Sequence, residues 1–262
     1  MHRFALSLAA LFLAGAAHAQ STPASPAVGV TSAVVREAKL SNARITRPRA
    51  LALRERIALA DLIQTGKASQ VQIMLLDRSV FSIGANAQLR IDRFVYDPSG
   101  RSMGATAARG AFRFMSGAPA RQNGSTIATP VATIGIRGTI LDGAVGPVAI
   151  EIARREPAAR RRPRRPRARA ASLVVLRGPG AGSTGVQAGA ISVTAGGATV
   201  DLGAPMLAAF VPRAGSRPIG PFVLSAAGLG RLQDAIFPAW AKKGNSALKT
   251  LAAIGAAAGA AA

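Results

Sequence analysis

LADLIQTGKASQVQIMLLDRSVFSIGANAQLRID, residues 59–92, decides the fold class. Val71, Ile73 and Leu75 recur at period two, the spacing that puts alternate side chains of a strand on one face. Asp77-Arg78-Ser79 then offers a reversal before a second apolar run, Val80 to Ile83. Leu89 and Ile91 begin a third run that continues through Phe94 to Tyr96. It ends at Asp97-Pro98-Ser99-Gly100, where Pro fixes φ and Gly accepts positive φ. Nothing in this stretch sustains a helical period.

The same grammar extends outward. Gly110 and Gly117 bracket Ala111 to Met115, and Asn123-Gly124 is a turn signal ahead of Ser125 to Ile136. Upstream, Val28 to Leu40 has the composition of a first strand. Downstream, Ser172 to Leu176, Ala190 to Val193, Thr199 to Leu202 and Leu207 to Val211 keep strand character between Gly and Pro punctuation. The expected class is mainly β, with short stacked strands forming either a β-solenoid-like stack or a sandwich; turn spacing alone does not separate the two. After residue 224 the period changes. Ser225 is a good N-cap, and Leu229, Leu232, Ile236 and Phe237 recur at helical spacing until Pro238, predicting a short amphipathic helix followed by an Ala-rich tail.

Residues 1–19 have the order of a secretory signal: Arg3, an apolar run from Phe4 to Ala17, and Ala17-His18-Ala19 before Gln20. The apolar run falls short of the roughly 20 residues a spanning helix needs, so cleavage between Ala19 and Gln20 is expected. A periplasmic or secreted chain of about 240 residues would result, with no membrane span after processing. It divides into a lead-in with first strands (20–56), a β domain (57–143), a β extension (144–224) that contains an Arg-rich loop (153–170), and a helix with its tail (225–262).

Composition closes off most catalytic chemistry. The chain has no Cys, and its two histidines, His2 and His18, lie in the leader. Triads built on Ser or Cys with His, and zinc sites with His or Cys ligands, therefore cannot form in the processed chain. What remains is carboxylate, Lys or hydroxyl chemistry; the Asp and Glu residues number 11 and are scattered, and the alternative they leave open is a carboxylate-based, carbohydrate-active enzyme. A non-catalytic role is expected, with no cofactor and no metal, and replacing Asp92 and Asp142 should leave such a role intact.

The formal charge of +22 points to anionic partners, and the leader contributes only Arg3 to it. Arg154, Arg155, Arg160, Arg161, Arg162, Arg164, Arg165, Arg167 and Arg169 crowd one stretch that Pro157, Pro163 and Pro166 keep out of helix and sheet, a disordered insertion by composition. Of these, the seven from Arg160 to Arg169 are the candidate contacts for a polyanion, with affinity that falls as salt rises. Aromatic side chains that could stack on bases are missing around them, so an anionic polymer or an envelope protein is the expected partner and nucleic acid is not. Gly180 to Gly185 spells a GxGxxG, but the strand-like residues after it are not the helix that a dinucleotide site requires.

Taken in order, the motifs resemble the FecR domain family. Ile63, Thr65 and Gly66, then Ser69, then the Asp77 and Ser79 turn, are followed by Phe81, Ile83, Asn86, Leu89 and Ile91. A Gly-led strand, Arg109 to Phe114, and a closing block from Thr129-Pro130 to Arg137-Gly138-Thr139 complete the likeness, which spans residues 58–142. The resemblance implies a β-solenoid-like stack and a periplasmic sensing or regulatory role; its best-known member relays the state of an iron-citrate transporter to a cytoplasmic sigma factor. Here a signal peptide stands where that member has its sigma-binding segment and membrane helix, so only the fold and the general sensing or interaction role carry over.

Overall fold

The computed structural model describes residues 26–45, 47–97, 100–117, 124–159, 170–179 and 189–238. Within them the chain is mainly β, seventeen strands in one hydrogen-bonded network that the longest strand divides into two layers. In the first layer the order is β4 (Arg56–Ala58), β1 (Ala27–Val35), β6 (Gln70–Leu75), β7 (Val80–Ile83), the carboxyl part of β9 (Gly100–Met115), β12 (Thr139–Val145), β13 (Ser172–Pro179), β16 (Leu207–Val211) and β17 (Ile219–Val223). In the second it is β3 (Arg49–Ala50), β2 (Ala38–Ser41), β5 (Leu62–Thr65), β8 (Gln88–Asp97), the amino part of β9, β10 (Ser125–Ala128), β11 (Thr133–Arg137), β14 (Ala190–Ala195) and β15 (Ala198–Leu202). All these pairings are antiparallel except that of β9 with β10.

The two layers share one core. Val71, Ile73, Phe81, Phe112, Phe114 and Leu176 from the first meet Leu40, Ile63, Leu89, Ile91, Ile134 and Val193 from the second. Phe81 and Phe114 sit at the centre with ring centroids 4.8 Å apart, a tilted arrangement that adds attraction beyond the apolar area buried. Period-two alternation supplies the inward set, and a one-residue slip would turn all of it outward.

A second apolar cluster lies on the other face of the first layer. There Ala111, Ala144, Leu173, Val175 and Phe210 pack against α1 (Pro147–Ala153) and α2 (Ala226–Ile236), through Ile150 and Ile152 of α1 and Leu232 and Ile236 of α2. The molecule is thus layered as strands, strands, helices. Among the described residues no helix is long and apolar enough to cross a membrane.

Three stretches differ from what their sequence pattern suggests. Gly110 is not a turn: β9 runs unbroken through it, and its φ of 90° lets the strand pass from one layer to the other. Val28 to Leu40 is two strands, split at Arg36, whose φ is 60°. Ser125 to Ile136 is also two, split by the turn that Thr129 ties. Helix α2 begins at the expected cap, Ser225, whose Oγ accepts from the Gly228 amide at 3.0 Å. The leader, the residues 160–169 and 180–188, and the tail beyond 238 lie outside the described residues.

Candidate functional site

One edge of the stack is built from turns where the chain changes layer, and these turns are bonded to one another in series. The Gly66 amide donates to the Glu37 carbonyl at 2.8 Å, and the Asn86 amide donates to the Gly66 carbonyl at 3.0 Å. Arg109 Nε then donates to the Asn86 carbonyl at 2.9 Å. Positive φ at these layer changes is supplied by Arg36, Ala68 and Asn86 in the turns and by Gly110 within β9. At Gly110 a Cβ would meet that of Ala87 at 2.4 Å, so glycine is required there for space as well as for φ. Side chains fasten the same corner: Thr65 Oγ1 donates to the Gly84 carbonyl at 2.6 Å and accepts from the Ala87 amide at 2.8 Å, while Ser69 Oγ accepts from the Glu37 amide. Arg36, Lys67 and Arg109 point outward from it and are exposed.

The roots of the Arg-rich segment reach the same edge. Val145 at the end of β12 pairs with Gly110 on one side and Ser172 on the other, and the Gly146 amide donates to the Ala171 carbonyl at 2.8 Å. Ala159, before the segment, and Ala171, after it, are both buried. Glu156 is buried too; Oε1 accepts from Ser225 Oγ at 2.6 Å and Oε2 from the Ser225 amide at 3.2 Å, which joins the root to the cap of α2.

Beyond the far end of α2, the outer face of the first layer holds a charge cluster. Asp142 is 0% exposed; Arg113 grips it through Nε at 2.6 Å and a terminal nitrogen at 2.9 Å. Arg177 Nε lies 3.3 Å from the same carboxylate without making a hydrogen bond to it, and its terminal nitrogen reaches Met206 Sδ at 3.1 Å. Burial alone would lower the pKa of Arg113, but the hydrogen bonds to Asp142 and its charge outweigh that and raise it. For Arg177 burial prevails, repulsion from Arg113 adds to it, Asp142 offsets only part, and the pKa is lowered. Phe237, just past α2, lies under the Arg113 guanidinium, 5.0 Å from ring centroid to Cζ.

Two further acids make fold-making contacts. Asp61 accepts from Asn42 Nδ2 at 2.7 Å and the Ala58 amide at 2.8 Å; Asp92 accepts from Thr106 Oγ1 at 2.6 Å and pairs with Arg90. Asp142 and Asp92 are therefore not equivalent: the first is buried in an ion cluster, whereas the second is partly exposed. Among the described residues no three His, Cys, Asp or Glu side chains gather as a metal site would require.

Residues 61–153 match the family described as FecR protein. The chain carries a FecR domain. Two crystal structures of a proposed anti-sigma factor from Parabacteroides distasonis are similar at 13% and 14% identity, with TM-scores of 0.40 and 0.39. Each comparison covers 60% of this chain and 57% of the other, so the chain spans little more than half the length of those proteins. No curated protein matches the chain.

The apolar residues that carry the FecR resemblance lie in the core, and polar ones tie its turns. The Asp77 carboxylate accepts from both the amide and the hydroxyl of Ser79, each at 2.9 Å, and Ser79 Oγ accepts from the Gly117 amide at 3.0 Å. Thr129 Oγ1 accepts from the Ala132 amide at 3.0 Å, and buried Thr139 donates its hydroxyl to the Gly178 carbonyl. Strands β13 and β14 pair with β12 and β11, so the segment after the FecR match continues both layers of the domain.

The predicted polyanion contacts Arg160, Arg161, Arg162, Arg164, Arg165, Arg167 and Arg169, and the predicted cleavage pair Ala19 and Gln20, lie outside the described residues. Sequence reasoning missed α1, β17 and the Arg113–Asp142–Arg177 cluster. The first is only seven residues long, β17 carries a Pro, and the cluster joins residues from three strands with no shared local motif.

Proposed function

We propose that this chain is an exported, non-catalytic regulatory or sensing module whose FecR-type body presents the Arg-rich segment 160–169 to an anionic partner in the bacterial envelope. The observation that carries the reading is the rooting of that segment: a run with seven arginines leaves and re-enters a packed body through buried Ala159 and Ala171, beside the corner of the FecR domain. A charged loop held at both ends loses less freedom on binding than a free tail would, which favours contact. The engagement of Asp61, Asp77, Asp92, Asp142 and Glu156 in turns, caps and ion pairs supports the non-catalytic side of the reading.

The test is removal of residues 160–169 alone, leaving the buried anchors in place, followed by elution from an anionic matrix across a salt gradient. Release at distinctly lower salt is expected; an unchanged elution point would refute the loop as the contact. Amino-terminal sequencing of the processed protein should begin at Gln20, and a chain beginning at Met1 would remove the export step.

A further inference from the structure

The charges of the cluster on the outer face of the first layer do not balance. Asp142 supplies one negative charge, Arg113 and Arg177 supply two positive ones, and among the described residues no other ion pair reaches either guanidinium. Both oxygens of Asp142 already accept from Arg113, through Nε at 2.6 Å and a terminal nitrogen at 2.9 Å. Arg177 is left with a buried Nε that has no hydrogen-bond partner, and with a terminal nitrogen that donates to Met206 Sδ at 3.1 Å. A thioether is a weak acceptor, so this guanidinium is poorly compensated for the water it has lost. A β-bulge sets its place. Leu141 pairs with Leu176 and Ile140 with Gly178, so one step along β12 spans two along β13, and Arg177 is the extra residue. Bulges re-aim a side chain and recur beside functional sites. The surroundings are apolar: Met206 lies against Arg177, Phe237 lies under Arg113, and Ile140, the next outward residue of β12 beyond Asp142, pairs with Met115.

We propose that Arg177 is the binding group for a single carboxylate carried on an apolar body, which its terminal nitrogens engage from the solvent side and which brings the cluster to two positive and two negative charges. This site is separate from the polyanion contact proposed above and does not depend on it. The Arg177 side chain is 20% exposed, whereas Asp142 is 0% exposed, so the cation is the member of the pair that an incoming group can reach. The charge count selects a monoanion, because a second negative charge would stand uncompensated in a half-buried place. The apolar frame of Met206, Met115 and Ile140 selects a carboxylate on an aliphatic body over a strongly hydrated inorganic ion. Two sources share that chemistry: a small aliphatic acid, and an acidic side chain of a partner protein flanked by apolar residues. Burial lowers the pKa of Arg177 despite Asp142 beside it, so its charge is held at a cost to the fold. Residues held at such a cost are expected where function needs them.

The experiment follows the arginine Nε–Hε resonances of the processed full-length chain by NMR. The probes, titrated at constant ionic strength, are hexanoate, a capped peptide with one glutamate between two leucines, and sulfate. The Arg177 resonance is identified by its loss in Arg177→Met, and in that variant the neighbouring Arg113 resonance reports binding. A saturable shift with hexanoate or with the peptide is expected, and Arg177→Met should bind either at least about tenfold more weakly, as loss of a charge-assisted hydrogen bond implies. Tighter binding of hexanoate assigns the site to a free acid, and tighter binding of the peptide assigns it to a partner's side chain; both support it. No saturable shift with either probe overturns the site. So does a shift that persists undiminished in Arg177→Met, which would mark general attraction to a basic surface, and so does sulfate binding as tightly as hexanoate. Should Arg177→Met fold poorly, Arg177→Lys takes its place, keeping the charge but not the paired donors; it should still bind more weakly than the parent, and equal binding would count against the site.

Discussion

Asp142→Asn is the sharpest probe of how the body is held together. The substitution keeps the shape of the side chain, so it opens no cavity, and its whole effect is electrostatic. The carboxylate is 0% exposed and stands between the guanidiniums of Arg113 and Arg177, whose side chains are 15% and 20% exposed. Removing its charge leaves two largely buried cations facing each other with a neutral amide between them. Breaking one partner out of a buried ion pair costs roughly 3–5 kcal/mol, a large share of the roughly 5–15 kcal/mol that holds a folded domain. For a body of this size that corresponds to a fall in Tm of roughly 10 °C. Arg177→Met should behave in the opposite sense. Its pKa is lower folded than unfolded, so the native state binds that proton less tightly. The charge therefore costs stability at neutral pH, and the cost would vanish only as pH rises through the alkaline window between the two values. Urea unfolding should find Arg177→Met within about 1 kcal/mol of the parent, and Asp142→Asn/Arg177→Met should recover at least about 1 kcal/mol of the single Asp142→Asn loss. An Asp142→Asn loss below about 1 kcal/mol, or a larger loss from Arg177→Met than from Asp142→Asn, would refute the account.

Three further perturbations address the corner and the helices. Gly84→Ala places a Cβ 2.0 Å from the Ala235 carbonyl oxygen at the end of α2; it should loosen that helix from the first layer, raising amide exchange in residues 226–236 while the corresponding rates in β6 and β7 hold. Ser225→Ala removes the cap of α2 and one of the two bonds that hold buried Glu156; a loss of about 1–2 kcal/mol in chemical denaturation is expected, and a loss within error would mean that the cap is idle. Thr65→Val deletes a buried hydroxyl that both donates to Gly84 and accepts from Ala87, leaving both backbone groups unpaired; about 1–3 kcal/mol should disappear from the unfolding free energy.

How far the sequence could be read depended on whether the deciding contacts were local. Period-two alternation in Val71, Ile73 and Leu75, the Asp77 to Ser79 reversal and the Ser225 cap each involve residues a few positions apart, and each appears in the structure where the pattern places it. The choice between a solenoid-like stack and a sandwich was not legible, because turn spacing is the same in both; pairing partners far apart in sequence, such as β1 with β6 and β11 with β14, define the two layers. Gly110 reads as a turn because positive φ is usually spent on reversal, whereas here it is spent on carrying one strand between layers. Helix α1 was hidden because PVAIEIA carries an alternating Val, Ile, Ile pattern that resembles a strand. Packing against Leu173 and α2 overrides that local preference.

The arginines themselves divide into two physical kinds, and that division links fold to function. With 33 basic and 11 acidic residues, most cations have no carboxylate to pair with. A cation lacking such a partner cannot be buried without a desolvation cost that would exceed the stability of the whole body. The few that go inside are therefore those the fold can neutralise: Arg113 on Asp142 is the clearest, and Arg177, sharing the same carboxylate, already has its pKa lowered. Cations without such a partner are least costly in water, where their mutual repulsion opposes compaction. An anion that settles on exposed cations relieves repulsion that is stronger in the folded state than in the expanded chain. Binding would then stabilise the fold by the same contacts that it uses for affinity.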